Sequence, residues 1–245
     1  MEKFVCKGCG KCCKDFSVSL GQQEEKIIFH LEDTVSMVLW EWEVGRLKSE
    51  AARLNIAFST KPVTFLYDRK SNASIITSWT MCHDICPFLS GNRCIVYDKR
   101  PLVCRMFPLV KSGMFDFIFG RDISLPKTVC ESNALGSILK DGSINISDYV
   151  TVMHEYYGDV FLAAVQFDMI KYYFANMVKE LTEKNIISPI VSPKSLAISR
   201  YKDSKPIAFF EFLRAAEIET EENIRRKIEL FESLEEASEF VKKFK

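Results

Sequence analysis

CKGCGKCC, residues 6–13, sets four thiols within eight residues in the form C-x2-C-x2-C-C. Two residues between thiolates let a backbone fold over a metal, the reason such spacings recur in zinc and iron–sulfur sites. Gly8 and Gly10 supply conformations that a Cβ would resist. Backbone N–H groups in so tight a loop also point toward the sulfurs and stabilise negative charge there. Packing of buried thiols selects no such spacing. The segment therefore reads as a metal-binding loop onto which other parts of the chain must converge.

The partners lie downstream in CHDICPFLSGNRCIVYDKRPLVCRMFP (82–108), with Cys130 alone after it and no cysteine beyond. Adjacent Cys12 and Cys13 are expected to diverge, so that one serves a second metal, another iron of a cluster, or an outer position. Arg100-Pro101 places proline where a helix can begin and Cys104 about one turn in. Four thiolates around a divalent ion leave a net charge of about −2, for which Lys7, Lys11, Arg93, Arg100 and Arg105 are candidate counter-charges. The plain alternative is a set of solvated surface charges.

Composition narrows the class. The chain has 245 residues, 47% hydrophobic and 27% charged, with ten Gly and eight Pro, which excludes disordered and low-complexity classes. Its 33 basic and 33 acidic residues cancel, so no broad field favours nucleic acid or an anionic membrane. Uncharged apolar stretches such as Val160 to Phe167 fall well short of the roughly 20 residues of a membrane span. The N-terminus lacks the layout of a signal peptide. Nine cysteines cannot all pair, and the chain reads as cytoplasmic, which leaves metal binding, redox chemistry or ordinary core packing to explain the thiols.

The expected fold is α+β and mainly helical. A cysteine-cluster domain over 1–135 would be organised by metal and contain a small antiparallel sheet; a helical domain or extension would cover 136–245, with 131–148 as connector. A capping box at Ser19 and Gln22 predicts helix from about 20 to 56, broken near Gly45. PVTFLYD (62–68) and ASIITSW (73–79) predict a hairpin, and FDFIF (115–119) a further strand. One long helix is predicted from Tyr149 to about Lys184, with Glu155, Asp159 and Gln166 on its polar arc. IAFFEFLRAAE (207–217) suits strand or helix. Thr220 and Ser233 predict the starts of two amphipathic C-terminal helices.

These motifs carry a resemblance. C-x2-C-x2-C-C, then C-P-F-L, then C-I-V-Y-x-x-R-P-x-V-C-R-x-F-P and a lone cysteine resemble the YkgJ-type cysteine-cluster family, described as zinc- or iron-chelating, over about residues 4 to 131. The resemblance implies that Cys6, Cys9, Cys12, Cys13, Cys86, Cys94, Cys104 and Cys130 are the metal ligands. Cys82 lies outside the pattern, as a spare thiol or an additional ligand. CCKDFSVSL (12–20) and CPFLSGNRC (86–94) are also similar in outline to the cysteine region of flagellin lysine-N-methylases. No G-x-G loop after a strand offers a nucleotide or S-adenosylmethionine cradle. The radical-enzyme spacing C-x3-C-x2-C fails at Leu89.

Zinc (Zn2+) and a 4Fe-4S iron–sulfur cluster compete for such ligands, and three closely spaced cysteines plus a remote one is the ferredoxin-like arrangement. The expectation is an iron–sulfur protein acting in electron transfer or protein modification, lysine methylation included. The alternative is a structural zinc module whose helical half binds a protein partner. His83 with Asp84 as ligand and orienting carboxylate, and His154 with Glu155 as an acid–base pair, are weaker candidates: a histidine satisfied in the fold is the commoner reading of the first, and exposed polar residues of the second. Tyr156, Tyr157, Tyr172 and Tyr173 read as core, as do Trp40, Trp42 and Trp79.

Overall fold

The computed structural model describes residues 3–14, 18–19, 27–32, 34–35, 37–109, 145–191 and 194–245. The elements run α1 (Lys11–Lys14), β1 (Val18–Ser19), β2 (Phe29–His30), β3 (Thr34–Val35), α2 (Glu41–Leu54), β4 (Thr60–Asp68) and β5 (Ala73–Met81). Then come β6 (Leu89–Ser90), β7 (Arg93–Cys94), a 3-10 turn (Tyr97–Lys99) and α3 (Leu102–Arg105). The later chain gives α4 (Ile146–Tyr157), α5 (Asp159–Glu183), α6 (Lys194–Asp203), β8 (Lys205–Ala208), α7 (Phe209–Ala215), α8 (Glu221–Glu232) and α9 (Leu234–Lys242). The architecture is α+β and mainly helical. Among the described residues no helix is long and apolar enough to cross a membrane.

By internal packing the chain forms two compact units, each assembled from separated stretches. One comprises residues 1–15, 88–172 and 228–245, the other 16–87 and 173–227. The second unit is built on a four-stranded sheet of order β2-β4-β5-β8. The predicted hairpin is its centre, β4 and β5 pairing antiparallel from Thr60↔Met81 to Asp68↔Ala73, with Asn72 at φ 50 in the turn. β-branched and aromatic side chains drive these strands because they pack well on a pleated surface. Thr64 Oγ1 lies 2.6 Å from Thr77 Oγ1 and 2.5 Å from Ser78 Oγ, satisfying the hydroxyls the strands half-bury. On one sheet face Phe29, Phe65, Tyr67 and Ile76 are buried with Ala197, and Tyr201 and Trp79 pack around them.

The 207–217 segment resolves its ambiguity by being both things in turn. Lys205–Ala208 joins β5 in parallel, and helix α7 begins at Phe209. Glu41 Oε2 accepts the Phe210 N–H at 2.9 Å, fastening α7 to the start of α2. Burial pushes the Glu41 carboxyl above its ordinary value, partly offset by that hydrogen bond and by Arg214. Trp40 stacks on Phe174 at 5.3 Å, and Phe174 meets the Phe209 ring edge-on at 4.7 Å.

Three local expectations change. The helix predicted from about 20 is shorter: β2 and β3 occupy 29–30 and 34–35, Ser19 stands in β1, and residues 20–26 lie outside the described residues. Helix α2 runs through Gly45 unbroken, because buried Val44, Leu47 and Ala51 outweigh a glycine cost of about 1 kcal/mol. The long helix from Tyr149 is two helices, separated at Gly158 with φ 53. Gln166, expected on its polar arc, is buried, and Tyr172, expected in the core, is 55% exposed. The 115–119 strand lies outside the described residues.

Asp68 closes the β4–β5 turn. Its carboxylate accepts the Ser71 hydroxyl (2.6 Å), the Ser188 N–H (2.6 Å) and the N–H groups of Ser71 (3.0 Å) and Lys70 (3.2 Å). Burial alone would raise this carboxyl, but the four hydrogen bonds outweigh it and hold it below its ordinary value. A depressed carboxyl contributes stability above its unfolded value of about 3.9 and loses it as pH falls through the lower folded value. Asp68→Asn is therefore expected to cost about 1–3 kcal/mol at neutral pH, with a smaller penalty in acid. Urea unfolding at both pH values measures this; an equal penalty at both would show that the charge is not what the turn uses.

Candidate metal centre

The N-terminal cysteine loop is shaped by its glycines. Gly8 and Gly10 have φ 62 and 71, the left-handed region that a Cβ disfavours. The Cys13 N–H donates to Gly10 O at 3.0 Å, winding the single turn α1. Upstream, the Phe4 N–H donates to Tyr156 O at 2.8 Å and its ring lies 5.4 Å from Tyr157, which anchors the start of the loop to α4.

The loop docks on the hairpin that carries Cys94. A Cβ on Gly10 would come within 3.2 Å of Asn92 O and Leu89 Cδ1, tight enough that any side chain here would force its neighbours to give way. Lys14 Nζ donates to Asn92 Oδ1 at 3.1 Å from the other end of α1. The hairpin pairs Leu89 with Cys94 and Ser90 with Arg93, and the Ile95 N–H donates to Phe88 O at 3.0 Å. Sequence reading had no role for Leu89 or Asn92. The Gly91-Asn92 turn was the available signal for a hairpin there.

Cys104 arrives on the short helix predicted from Arg100-Pro101. Pro101 stands at the N-cap of α3, the Cys104 N–H donates to Pro101 O at 2.9 Å, and Leu102 and Val103 are buried beneath it. Just before it, the Arg100 guanidinium lies 3.5 Å over the Tyr97 ring while its Nε donates to Tyr97 O at 2.9 Å.

Three stretches of chain thus bring four thiols into one electrostatic neighbourhood. Cys12 is hydrogen-bonded to Cys13, and that contact with burial pushes the Cys12 thiol far above its ordinary value. Burial raises Cys94, with Cys12 adding to the effect. Burial pushes the Cys104 thiol well above its ordinary value, and Cys13, Cys12 and Cys94 all push the same way. Arg100 opposes the rise at Cys12, Cys94 and Cys104. The expected divergence of Cys12 and Cys13 is not seen: on a helical turn successive side chains stand only about 100° apart, and the two thiols meet.

The remaining cysteines are distributed differently. Cys6 and Cys9 are exposed on the loop, Cys86 is half-buried, and Cys82 is exposed with its N–H donating to Ser59 O at 3.0 Å. Cys130 lies outside the described residues. His83 Nε2 accepts the Ser59 N–H at 3.1 Å and the ring stacks on Phe58, a satisfied structural position. His154 Nδ1 is 3.0 Å from Lys245 Nζ; partial burial and then Lys245 push the imidazole down. Lys7, Lys11 and Arg93 are exposed.

Four soft sulfurs that influence one another are the donor chemistry of zinc or iron. As placed, no group of three or more His, Cys, Asp or Glu side chains among the described residues could hold a metal ion. Thiols raised by burial and by one another carry protons, and ligation requires those protons to leave.

Residues 5–131, a little over half of the chain, match the family model described as "CxxCxxCC: Putative zinc- or iron-chelating domain". No curated protein and no solved structure matches the chain.

Proposed function

Because the chain belongs to the CxxCxxCC family, we propose that it is a metal-binding protein whose centre is built on Cys12, Cys13, Cys94 and Cys104. The observation that carries this is the mutual influence of those four thiols, drawn from three stretches of sequence: Cys12 is in contact with Cys13, and Cys94 and Cys104 are both raised by Cys12. Binding would remove the protons that burial retains and draw the sulfurs inward around the cation, which relieves the repulsion that separate thiolates would feel. Cys6, Cys9, Cys86 and Cys130 complete the family's cysteine set as further ligand candidates.

The iron–sulfur reading is supported by Cys12 and Cys13. Two adjacent thiols in mutual contact serve a centre with several metal atoms better than one tetrahedral ion. Such a cluster would supply one-electron chemistry for electron transfer or for modification of a protein substrate, lysine methylation being one form. A reducing cytoplasm suits that role, since it keeps thiols available. The structural zinc reading is supported by a different observation: the N-terminal loop docks on the β6–β7 hairpin, and one closed-shell ion held by thiols of the loop, the hairpin and α3 would staple all three.

Protein purified without oxygen should carry stoichiometric iron with sulfide and absorb near about 400 nm, bleaching with dithionite. Stoichiometric zinc, no colour, and loss of fold on chelation would establish the structural role instead. A full-length chain that holds neither metal when reconstituted would overturn both.

A further inference from the structure

We propose that the cysteine-bearing face of the first unit is a docking surface for a protein partner that presents carboxylates around an apolar contact. The inference goes beyond metal binding, since it rests on the charge and exposure of residues that carry no sulfur.

Charge on this chain is segregated. Over the whole sequence 33 basic and 33 acidic residues cancel, yet residues 3–14 hold four lysines and no acid, and residues 88–109 hold Arg93, Lys99, Arg100 and Arg105 with Asp98 as their single acid. Both stretches belong to the same compact unit. The fold also brings them together: Gly10 packs on Asn92, Lys14 Nζ donates to Asn92 Oδ1 at 3.1 Å, and Arg93 is the next residue, where β7 begins. Lys11 adjoins Gly10, and the Cα of Lys7, three residues before it, lies within about 11 Å of the Gly10 Cα by chain length alone. Lys7, Lys11, Lys14 and Arg93 are all exposed. They share a region close to one screening length in size, about 10 Å at about 0.1 M salt.

Elsewhere exposed cations have acids within reach. Lys184 pairs with Glu180, Arg226 with Glu222 and Lys242 with Glu239, each within about a turn of the same helix. On the cysteine face no carboxylate among the described residues pairs with Lys7 or Arg93, and Lys14 donates to a neutral amide. Like charges held this close repel, and an anion from outside relieves them. A filled tetrathiolate centre, at about −2, offsets only part of the excess.

The side chains among these cations favour a protein over a nucleic acid. Val5 is 70% exposed, Tyr97 48% and Ile95 43%, and Val5 and Ile95 adjoin Cys6 and Cys94 in the chain. Branched aliphatic side chains gain from contact with apolar side chains and nothing from phosphate. Single-stranded nucleic acid is held on successive aromatic platforms. Tyr97, the one exposed aromatic ring of these two stretches, already carries the Arg100 guanidinium over one face at 3.5 Å. A small apolar centre among cations suits a rapid, salt-sensitive protein encounter.

The test is fluorescence anisotropy of the reduced, full-length chain with a labelled peptide of alternating Glu and Leu. A Glu/Ser peptide, single-stranded DNA and phosphatidylserine vesicles, the last read by sedimentation, are the comparison probes. The Glu/Leu peptide should bind at low salt, and more tightly than each of the other three. Lys7→Glu and Arg93→Glu should each weaken it about tenfold, and the difference from wild type should vanish near about 1 M salt, where the screening length is about 3 Å. Lys179→Glu, the same charge reversal at an exposed lysine on α5, should bind as wild type does. Ile95→Ser should weaken the Glu/Leu peptide several-fold and leave the Glu/Ser peptide unchanged. Equal losses from Arg93→Glu and Lys179→Glu overturn the proposal, because net charge alone then explains the binding. Tighter binding of DNA or vesicles overturns it in favour of a nucleic acid or a membrane, and a wild type that ignores the Glu/Leu peptide overturns it outright. If one charge reversal does not fold, the other decides, since they stand on different elements. Metal content of the same samples keeps this separate from the metal-binding reading: a metal-loaded wild type without peptide binding fails the docking surface alone, and a metal-free chain that binds the peptide fails only the metal centre.

Discussion

Cys104→Ser is expected to purify with its metal essentially absent, whereas Cys82→Ser keeps the wild-type amount. Serine at 104 replaces a soft sulfur by a hard hydroxyl that stays protonated at neutral pH and does not ligate zinc or iron. Cys12, Cys13 and Cys94 all act on the Cys104 thiol, which makes it the member coupled to each of the others. Cys82 is exposed and lies outside the family's spacing. Metal that binds only the folded chain stabilises it by about 3–4 kcal/mol when free metal exceeds Kd a hundredfold to a thousandfold. Cys104→Ser should lose that increment in thermal unfolding as well as the metal in elemental analysis. Equal metal loss from both variants would place Cys82 among the ligands and overturn the assignment made here.

Gly10→Ala should be nearly as damaging although it touches no sulfur. The backbone at φ 71 imposes about 1–2 kcal/mol on any L side chain. The new methyl would also press on Asn92 O and Leu89 Cδ1 at 3.2 Å, where overpacking costs a further roughly 1–3 kcal/mol. Part of this opposed atom set is backbone and cannot swing aside, so the N-terminal loop is pushed off the hairpin and Cys12 and Cys13 move away from Cys94. Gly8→Ala is the informative comparison. Gly8 has φ 62 but nothing within 4 Å of its Cβ position, so it should show only the backbone cost and retain metal. Similar metal affinities for the two variants would mean that docking on Asn92 is not what assembles the site.

The readable parts of the fold were those set by local chemistry. Two β-branched runs around Arg69-Lys70-Ser71-Asn72 form the hairpin as predicted, and Ser233 accepts the Glu236 N–H at 3.3 Å as its capping box requires. Arg100-Pro101 places Cys104 in the helical turn that proline allows. Departures occur where burial overrides a local signal. Gly45 fails to break α2 because the buried stripe on either side holds the helix. Gly158 does break the later helix, where apolar periodicity alone would have continued it. Lys205–Ala208 becomes a strand only because β5 offers it an open edge, and no local property of IAFF announces that partner.

The cysteine centre divides in the same way. Spacing and the two glycines in CKGCGKCC marked this loop as a candidate for metal ligation, because those conformations and that density of thiols follow from the local chain alone. Which cysteines share an environment was decided by tertiary contacts such as Gly10 against Asn92 and Lys14 to Asn92, which bring α1 onto the hairpin that carries Cys94. Thiol coupling depends on distance through space, and residues 12, 94 and 104 are too far apart in sequence for the local chain to supply it.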